Sequence, residues 1–462
     1  RGGRSDSMSA FGAIAALGIA ISTSYLGWKT TVVLVLGMIL IVVRRERNKA
    51  YASGTESDAN LPGKFTKPVP EKNHLTTRDG LKIHYYVVKG QGFGTKEGKV
   101  MLFAAPLGQC GFSIYYPIMA KFGDQYTYIT WDYRGLFSSE TPARLRRISI
   151  PMHAEDGIEV LKEVMSGWNG SNAKISADIM VGHSMGVQVC LETVVIYPEH
   201  VDSLILLNGA HGHVFSSGFQ PLFRVPVMGN VPYWIVQFLL ARPDMLRRFQ
   251  RVMKPAMDFV LPLWGRWFGS KLLKELLGEQ YLLDFVEDYL GSILESPTTL
   301  TNYLFLFQEL DAHSVYHLLS SIEQPTLIVT GLFDVLTPAY HGDEMHRVMP
   351  NSRLVCDAFS SHASLLEHPE RVMIEVNEFV RYRRLFRRTD SSHFVAYATA
   401  ASAVEEEDAS PSSLAGSSSP ETKKNNNDHP RHDSKANTTS NNSSSNHGVI
   451  GVDSGDRKEE RK

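Results

Sequence analysis

The residues with the clearest chemical potential are a serine, an aspartate and a histidine that occur in this order along the chain. Ser184 is the centre of the sequence Gly-His-Ser-Met-Gly at 182–186, and Asp334 and His362 follow it. A serine hydroxyl becomes a strong nucleophile when a base removes its proton, and a carboxylate orients an imidazole base. The three residues therefore predict acyl transfer, with Ser184 as nucleophile, His362 as base and Asp334 as orienting acid.

The segments on either side of Ser184 predict the sharp turn that such a nucleophile occupies. The apolar run Ile179–Val181 is typical of a buried strand, and a helical pattern starts near Val187. A strand, a tight turn and a helix in this order are the setting of an exposed serine nucleophile. Gly182 and Gly186 are expected in this nucleophile elbow because side chains there would collide with the turn. The helix N-terminus also favours the negative charge that develops during acyl transfer.

The aspartate and the histidine also follow predicted strands. Asp334 comes shortly after the apolar run Thr326–Thr330. His362 lies after the apolar segment Arg353–Val355 and before a helix predicted over 369–382. In a parallel sheet the loops after the strands meet at one edge, where catalytic groups collect. Both side chains are therefore expected at the same edge of the sheet as the serine.

Predicted strands and helices alternate from about residue 75 to residue 382. This alternation predicts an α/β fold with a mostly parallel central sheet covered on both faces, in a domain over 73–388. More than a hundred residues separate the predicted strand ending at Leu207 from the one starting at Thr326, which is too long for a structureless loop. Their apolar composition and helical spacing predict a helical cap over 208–322.

The segment from about residue 74 to 384 resembles the α/β-hydrolase superfamily, in its serine esterase and lipase branch. The matching motifs are Trp-Asp-Tyr-Arg-Gly at 131–135, the elbow at 182–186, Gly-Leu-Phe-Asp at 331–334, and His362. The resemblance implies the α/β-hydrolase fold, with about eight mostly parallel strands, a lid after the sixth strand, and a covalent acyl-enzyme. The Asp and Arg of the first motif are structural in this family, which implies a pair that fixes the loop.

The chain departs from the family pattern after its third strand. Members usually carry His-Gly there, and a neighbouring backbone N–H helps to form the oxyanion hole. Here the strand runs into Pro-Leu-Gly-Gln, so the N–H of Leu107 or Gly108 is expected to act with the N–H of Met185. The residue type does not decide which of the two donates. Cys110 nearby is interpreted as a bystander.

No histidine pattern indicates a metal site. His313 and His317 are spaced four apart in a helical stretch, but they lack a carboxylate partner pattern such as His-Glu-x-x-His. His211 and His213 follow the sixth strand near the predicted cap and are candidates for lining the pocket, with no role in the pocket as the alternative. We therefore predict no metal ligand, and the proposed acyl transfer requires no cofactor.

The N-terminal part of the chain predicts a membrane anchor. The stretch 10–43 is apolar apart from Lys29, which fits either a single span or a hairpin of two helices. The basic cluster at 44–49 favours the cytosolic side for the catalytic domain. Residues 1–49 are therefore assigned to the anchor and 50–72 to a linker, and the organelle stays open.

Composition limits the remaining function classes. The net charge of −2 argues against nucleic-acid binding, and three cysteines do not form a disulfide framework. The Ser- and Asn-rich tail at 389–462 has too few apolar residues to offset the entropy of ordering, so it is predicted to be disordered. The sequence does not indicate an oligomeric state.

An apolar acyl ester, such as a lipid or acylglycerol ester, is the predicted substrate. The anchor would hold the enzyme at a bilayer, and the predicted cap is rich in large apolar side chains, including Trp264, Trp267, Phe268 and Phe307. Acyl transfer to an alcohol would use the same triad, so it remains an alternative. A non-catalytic binding protein of the same fold is a second alternative. Epoxide hydrolase chemistry is disfavoured because its nucleophile is an aspartate.

Overall fold

The computed structural model describes residues 65–166, 168, 175–214, 231–268, 296–383 and 395–396. The predicted membrane anchor, residues 50–64 of the predicted linker and the predicted tail, apart from 395–396, lie outside the described residues. Within the described ranges, no helix combines the length and the apolar character that crossing a membrane requires.

The centre of the fold is a nine-stranded sheet. Its strands are β1 Glu71–Thr76, β2 Lys82–Val88, β3 Val100–Ala104, β4 Thr127–Trp131, β5 Ile179–His183, β6 Leu204–Leu207, β7 Thr326–Gly331, β8 Ser352–Asp357 and β9 Val395–Ala396. The order across the sheet is β1-β2-β4-β3-β5-β6-β7-β8-β9. The β1–β2 and β2–β4 pairs are antiparallel, and the pairs from β4–β3 to β8–β9 are parallel.

This architecture confirms the predicted α/β fold with a mostly parallel sheet. The additional strand is β9, a two-residue strand inside the segment predicted to be disordered. It pairs with Val355 and Cys356 of β8. Edge pairing of this kind uses backbone groups, so the polar composition of the tail does not prevent it.

Helices cover both faces of the sheet, and others form part of the predicted cap interval. The described helices are α1 Tyr116–Phe122, α2 Ile150–Met165, α3 Met185–Ile196, α4 Val231–Leu240, α5 Pro243–Phe268, α6 Pro297–Ala312, α7 Tyr340–Val348, α8 Ser364–Glu367 and α9 Pro369–Tyr382. The described part of the predicted cap interval contains α4, α5 and α6. Phe307 packs with a small apolar cluster shared by these helices. The side chains of Trp264, Trp267 and Phe268 lie outside the described part.

The central strands are apolar on both faces because each face packs into a core. Val100, Leu102 and Ala104 of β3 lie in one core, whereas Met101 and Phe103 lie in the other. All five side chains are buried. Consecutive side chains of a strand point to opposite faces, so a strand with two covered faces is a continuous apolar run.

The structure corrects the expected pairing in the loop after β4. Asp132 does not pair with Arg134; its Oδ2 accepts hydrogen bonds from Tyr86 Oη at 2.9 Å and from Ser138 N–H at 3.2 Å. The buried Arg134 instead donates from Nε and Nη2 to both carboxylate oxygens of Asp156. Both residues still hold the loop, but each has its own partners. The partner of Arg134 lies 22 positions away on α2, which local sequence does not reveal.

Replacing Arg134 with alanine is expected to lower the free energy of unfolding by about 3–5 kcal/mol, because the buried carboxylate of Asp156 loses its partner. Urea denaturation of the two proteins measures the difference. Arg147 provides the matched control, since it contacts Asp79, which Arg134 also contacts, but is about half exposed. Arg147→Ala should cost about 1 kcal/mol or less. Equal losses of unfolding free energy in the two variants would contradict a larger contribution of the buried Arg134–Asp156 pair.

Candidate active site

The serine of the elbow occupies a backbone conformation that side chains rarely adopt. Ser184 follows β5 directly, precedes the first residue of α3, and has φ 55° and ψ −118°. The two elbow glycines explain how the turn closes. A Cβ on Gly182 would lie 2.4 Å from the carbonyl oxygen of Gly186, and a Cβ on Gly186 would lie 2.0 Å from the carbonyl oxygen of Ala104. The glycines therefore allow α3 to approach β5 and β3 closely, and the turn leaves Ser184 partly exposed among buried neighbours.

The three residues predicted from the sequence meet at the carboxyl edge of the sheet. His362 Nε2 lies 2.9 Å from Ser184 Oγ. His362 Nδ1 lies 2.9 Å from Asp334 Oδ2 and 3.1 Å from Asp334 Oδ1. The imidazole thus bridges the hydroxyl and the carboxylate through its two nitrogens. This is the arrangement in which a histidine can take the proton of a serine while a carboxylate fixes its tautomer.

Asp334 is buried and held by several hydrogen bonds. Its Oδ1 accepts from the N–H groups of Leu336 at 3.0 Å and Thr337 at 2.9 Å, and Thr337 Oγ1 lies 2.9 Å from Oδ2. Burial alone would raise the pKa of Asp334. The charge and hydrogen bond of His362, together with the Thr337 hydrogen bonds, outweigh burial and lower this pKa. Asp334 is therefore ionised at neutral pH, as an orienting acid must be.

The loop that carries His362 is anchored on both sides of the histidine. His183 Nε2 lies 2.9 Å from the carbonyl oxygen of His362. Burial and the neighbouring His362 lower the pKa of His183 to about 3. Its ring is therefore neutral at ordinary pH and can donate this hydrogen bond. Glu367 accepts hydrogen bonds from the N–H and the hydroxyl of Ser361.

Asn208 connects the acid to the histidine loop, and sequence reasoning missed it. Its Nδ2 donates to the carbonyl oxygen of Ser361 at 2.9 Å and lies 3.4 Å from Asp334 Oδ2. The backbone carbonyl oxygen of Asn208 accepts a hydrogen bond from Thr337 Oγ1 at 2.9 Å. Two signals could have identified it: Asn208 directly follows β6 at the carboxyl edge of the sheet, and asparagine tolerates the positive φ of 45° found there.

The residues predicted for the oxyanion hole flank the elbow. Met185 is the first residue of α3, and the first N–H groups of a helix have no acceptor within it. Leu107 and Gly108 follow β3, which pairs with β5 through Ala104 and Gly182. Gly108 has φ 84°, a conformation that favours glycine. The loop after β3 and the start of α3 therefore lie side by side at the carboxyl edge of the sheet.

The spacing of His313 and His317 does not correspond to one helical face. α6 ends at Ala312, His313 is extended, and His317 lies in a separate 3₁₀ helix, Tyr316–Ser321. His313 Nε2 instead lies 2.9 Å from Glu192 Oε2. The two histidines therefore do not share one helix, because α6 ends before His313.

Comparison with known proteins identifies the fold family. A family model described as alpha/beta hydrolase fold matches residues 102–369, which is more than half of the chain. The chain is 25% identical to epoxide hydrolase 3 of Mus musculus over 177 residues, covering 36% of this chain and 42% of that protein. It is 35% identical to a pimeloyl-(acyl-carrier protein) methyl ester esterase of Neisseria meningitidis over 132 residues, covering 26% and 50%.

The similarity to curated relatives extends over only part of each protein. A 2-hydroxy-6-oxononadienedioate/2-hydroxy-6-oxononatrienedioate hydrolase of Burkholderia vietnamiensis is 25% identical over 213 residues, covering 44% of this chain and 62% of that protein. The chain thus spans 42% to 62% of the length of these three relatives. Among solved structures, an esterase from Exiguobacterium antarcticum has a TM-score of 0.47 at 19% identity, covering 67% of this chain and 100% of that one.

Proposed function

Because this chain belongs to the alpha/beta hydrolase fold family, we propose that it is a serine hydrolase that cleaves carboxylic esters of apolar acyl groups. The observation that carries this proposal is the continuous contact from Ser184 Oγ through His362 to the buried Asp334. Ser184 also stands at the elbow position where an epoxide hydrolase would carry an aspartate. The proposal is therefore ester hydrolysis rather than epoxide opening, although one relative is named an epoxide hydrolase.

The reaction proceeds in two steps. In the first, Ser184 Oγ attacks the ester carbonyl carbon while His362 Nε2 takes the hydroxyl proton, and the carbonyl oxygen becomes an oxyanion. The N–H of Met185 and the N–H of Leu107 or Gly108 stabilise this oxyanion. His362 then gives the proton to the departing alcohol, leaving an acyl-serine. In the second step water attacks the acyl-serine, with His362 again as base, and releases the acid.

Asp334 and its neighbours prepare the imidazole for this role. The carboxylate accepts a hydrogen bond from the N–H at His362 Nδ1, so the proton stays on Nδ1 and the lone pair on Nε2 faces the serine hydroxyl. Asp334 also stabilises the imidazolium that forms during each step. The hydrogen bonds from Leu336 and Thr337 hold the carboxylate in this orientation.

The surface around the acid supports an apolar substrate. Four side chains that flank Asp334 are apolar and between 38% and 54% exposed, namely Leu332, Phe333, Val335 and Leu336. On α4, four further large apolar side chains are about half exposed, namely Tyr233, Trp234, Ile235 and Phe238. Exposed apolar surface of this kind is typical of ligand-binding and membrane-contacting regions.

Membrane association is part of the proposal. The apolar stretch at 10–43 is the proposed anchor, with the catalytic domain on the cytosolic side. The cap supports a second membrane contact, because the exposed aromatic side chains of α4 are followed by basic residues. These are Arg242 and, on α5, Arg247, Arg248, Arg251 and Lys254. Apolar side chains beside basic ones are typical of helices that lie in the interface of anionic bilayers.

An ester series of increasing acyl length tests the substrate class. For p-nitrophenyl esters from acetate to palmitate, kcat/KM should rise by up to about fourfold per added methylene until the acyl pocket is filled. Activity of the Ser184→Ala variant is subtracted as background at each length. A maximum at acetate would contradict an apolar acyl substrate. Labelling by a fluorophosphonate without turnover of any ester would favour acyl transfer, and a folded chain that does not label would favour the binding-protein alternative.

The membrane contact of the cap is tested by vesicle flotation. The double variant Trp234→Glu/Phe238→Glu, made in a chain that lacks residues 1–49, should bind anionic vesicles at least about tenfold more weakly than the same chain without the substitutions. Val69→Glu is the matched control, since Val69 is exposed but lies on the segment before β1. Equal binding by the two variants would contradict a membrane contact on α4. Unchanged binding on deletion of 1–49 would contradict the anchor.

A further inference from the structure

A cluster of three potential metal ligands lies beside the loop that carries Asp334. His211 Nε2 is 2.9 Å from Glu344 Oε2 and 3.4 Å from His341 Nδ1. His341 Nδ1 is 3.9 Å from Glu344 Oε2. Among the described residues, this is the group of histidine, cysteine and carboxylate side chains whose ligand atoms lie close enough to share one ion.

The three separations fit the coordination geometry of zinc. Ligand atoms that lie about 2.0–2.1 Å from a tetrahedral Zn²⁺ ion are about 3.3 Å from one another. The observed separations of 2.9, 3.4 and 3.9 Å bracket this value. Two imidazoles and one carboxylate are also a known ligand set for zinc with an open fourth position.

Hydrogen bonding among the three side chains accounts for the contacts only in part. His211 Nε2 carries at most one proton, yet it faces both the carboxylate of Glu344 and the Nδ1 atom of His341. A single cation would satisfy all three atoms at once.

The position of the cluster allows an ion to enter from solvent. His211 and His341 are buried, whereas the side chain of Glu344 is 40% exposed. His341 and Glu344 lie three residues apart on α7, so they share one face of that helix. His211 follows β6 and comes from the segment that leads into the cap. The cluster therefore has two rigidly placed imidazoles and one ligand at the surface.

We propose that His211, His341 and Glu344 form a zinc site that links the segment entering the cap to α7. The link would act next to the proposed catalytic acid. His211 lies three residues after Asn208, and His341 lies four residues after Thr337. Asn208 and Thr337 contact each other and Asp334. The site stabilises this corner of the fold and does not depend on the proposed ester hydrolysis.

Zinc titration of the full chain tests the site. The protein is first stripped with a chelator, and Zn²⁺ binding is then followed by competition with a chromophoric chelator. Glu344→Gln should weaken the binding by at least about tenfold, since it replaces an anionic ligand by a neutral amide. Because Glu344 is partly exposed, this variant is expected to fold, and its melting temperature without metal verifies this. His341→Gln should weaken binding further.

Glu192→Gln is the matched control. Glu192 makes the same 2.9 Å contact with His313 that Glu344 makes with His211, but no second imidazole joins that pair in the described structure. Its zinc affinity should equal that of the unmodified chain. The control is necessary because the chain carries 17 histidines, some of which can bind zinc elsewhere.

Two further readouts do not depend on activity. Zinc at about a hundredfold excess over its Kd should raise the melting temperature by roughly 5 °C in the unmodified chain and by less in Glu344→Gln. Cobalt(II) should give the intense visible bands of a four-coordinate site in the unmodified chain and in Glu192→Gln, but not in Glu344→Gln. Absence of zinc binding, or equal affinity in the unmodified chain and Glu344→Gln, would overturn the proposal and leave the cluster as a hydrogen-bonded group.

Discussion

Ser184→Ala is expected to lower kcat for ester hydrolysis by about 10⁶-fold and to abolish labelling by a fluorophosphonate probe. The methyl group of alanine cannot form the acyl-enzyme, so the base and the acid have no nucleophile to activate. Adding His362→Ala to this variant should lower kcat little further, because the two residues act as one unit. Burst kinetics and probe labelling on the purified chain measure both effects.

Cys110→Ala is the control for the nucleophile. Cys110 is partly exposed and lies two residues after Gly108, so it is the nearby thiol that an electrophilic probe could modify. The variant should label and turn over ester like the unmodified chain. Labelling that persists in Ser184→Ala but disappears in Cys110→Ala would contradict the assignment of Ser184.

Asp334→Asn is expected to lower kcat by about 10⁴-fold while the fold is retained. The asparagine oxygen can still accept the N–H hydrogen bonds of Leu336 and Thr337. Its amide NH₂ then faces His362 Nδ1 and donates to it, which places the imidazole proton on Nε2. The nitrogen facing Ser184 then has no lone pair to accept the hydroxyl proton. The kcat measured by steady-state kinetics and the rate of fluorophosphonate labelling should decrease by similar factors.

Asp343→Asn is the matched control for this change. Asp343 lies nine residues further along the chain, on α7, where it pairs with Arg347 at the surface. Loss of such an exposed pair costs at most about 1 kcal/mol of stability and should leave kcat unchanged. If Asp334→Asn retained more than a tenth of the kcat, another group would have to orient His362.

The sequence alone was sufficient to predict the central parallel strands and the elbow, but not β1 or β9. β6 was predicted to end at Leu207, as observed, and β5 and β7 were predicted within two residues, because buried parallel strands are short continuous apolar runs. The elbow was predictable because its requirements are local. Ser184 must follow a strand directly, and Gly182 and Gly186 have no room for a Cβ. The chain order of Ser184, Asp334 and His362 then placed all three residues after parallel strands.

The contacts that hold the site together could not be predicted from local patterns. Asn208 meets Ser361 across 153 positions, and His183 meets the carbonyl oxygen of His362 across 179 positions. The partner of Arg134 was predicted wrongly for the same reason. The spacing of apolar side chains along the chain predicts which of them are buried. The spacing of polar side chains does not predict which distant residue each one bonds.

The sequence by itself determined the fold class, the elbow and the three residues of the proposed triad. These depend on hydrophobic periodicity and on backbone sterics, both of which act between residues that are close in the chain. Only the tertiary structure decided which polar groups support the triad. It also brought His211 together with His341 and Glu344, 130 and 133 positions away. Their meeting depends on the adjacency of β6 and β7, because sheet order places the segments that follow these two strands side by side.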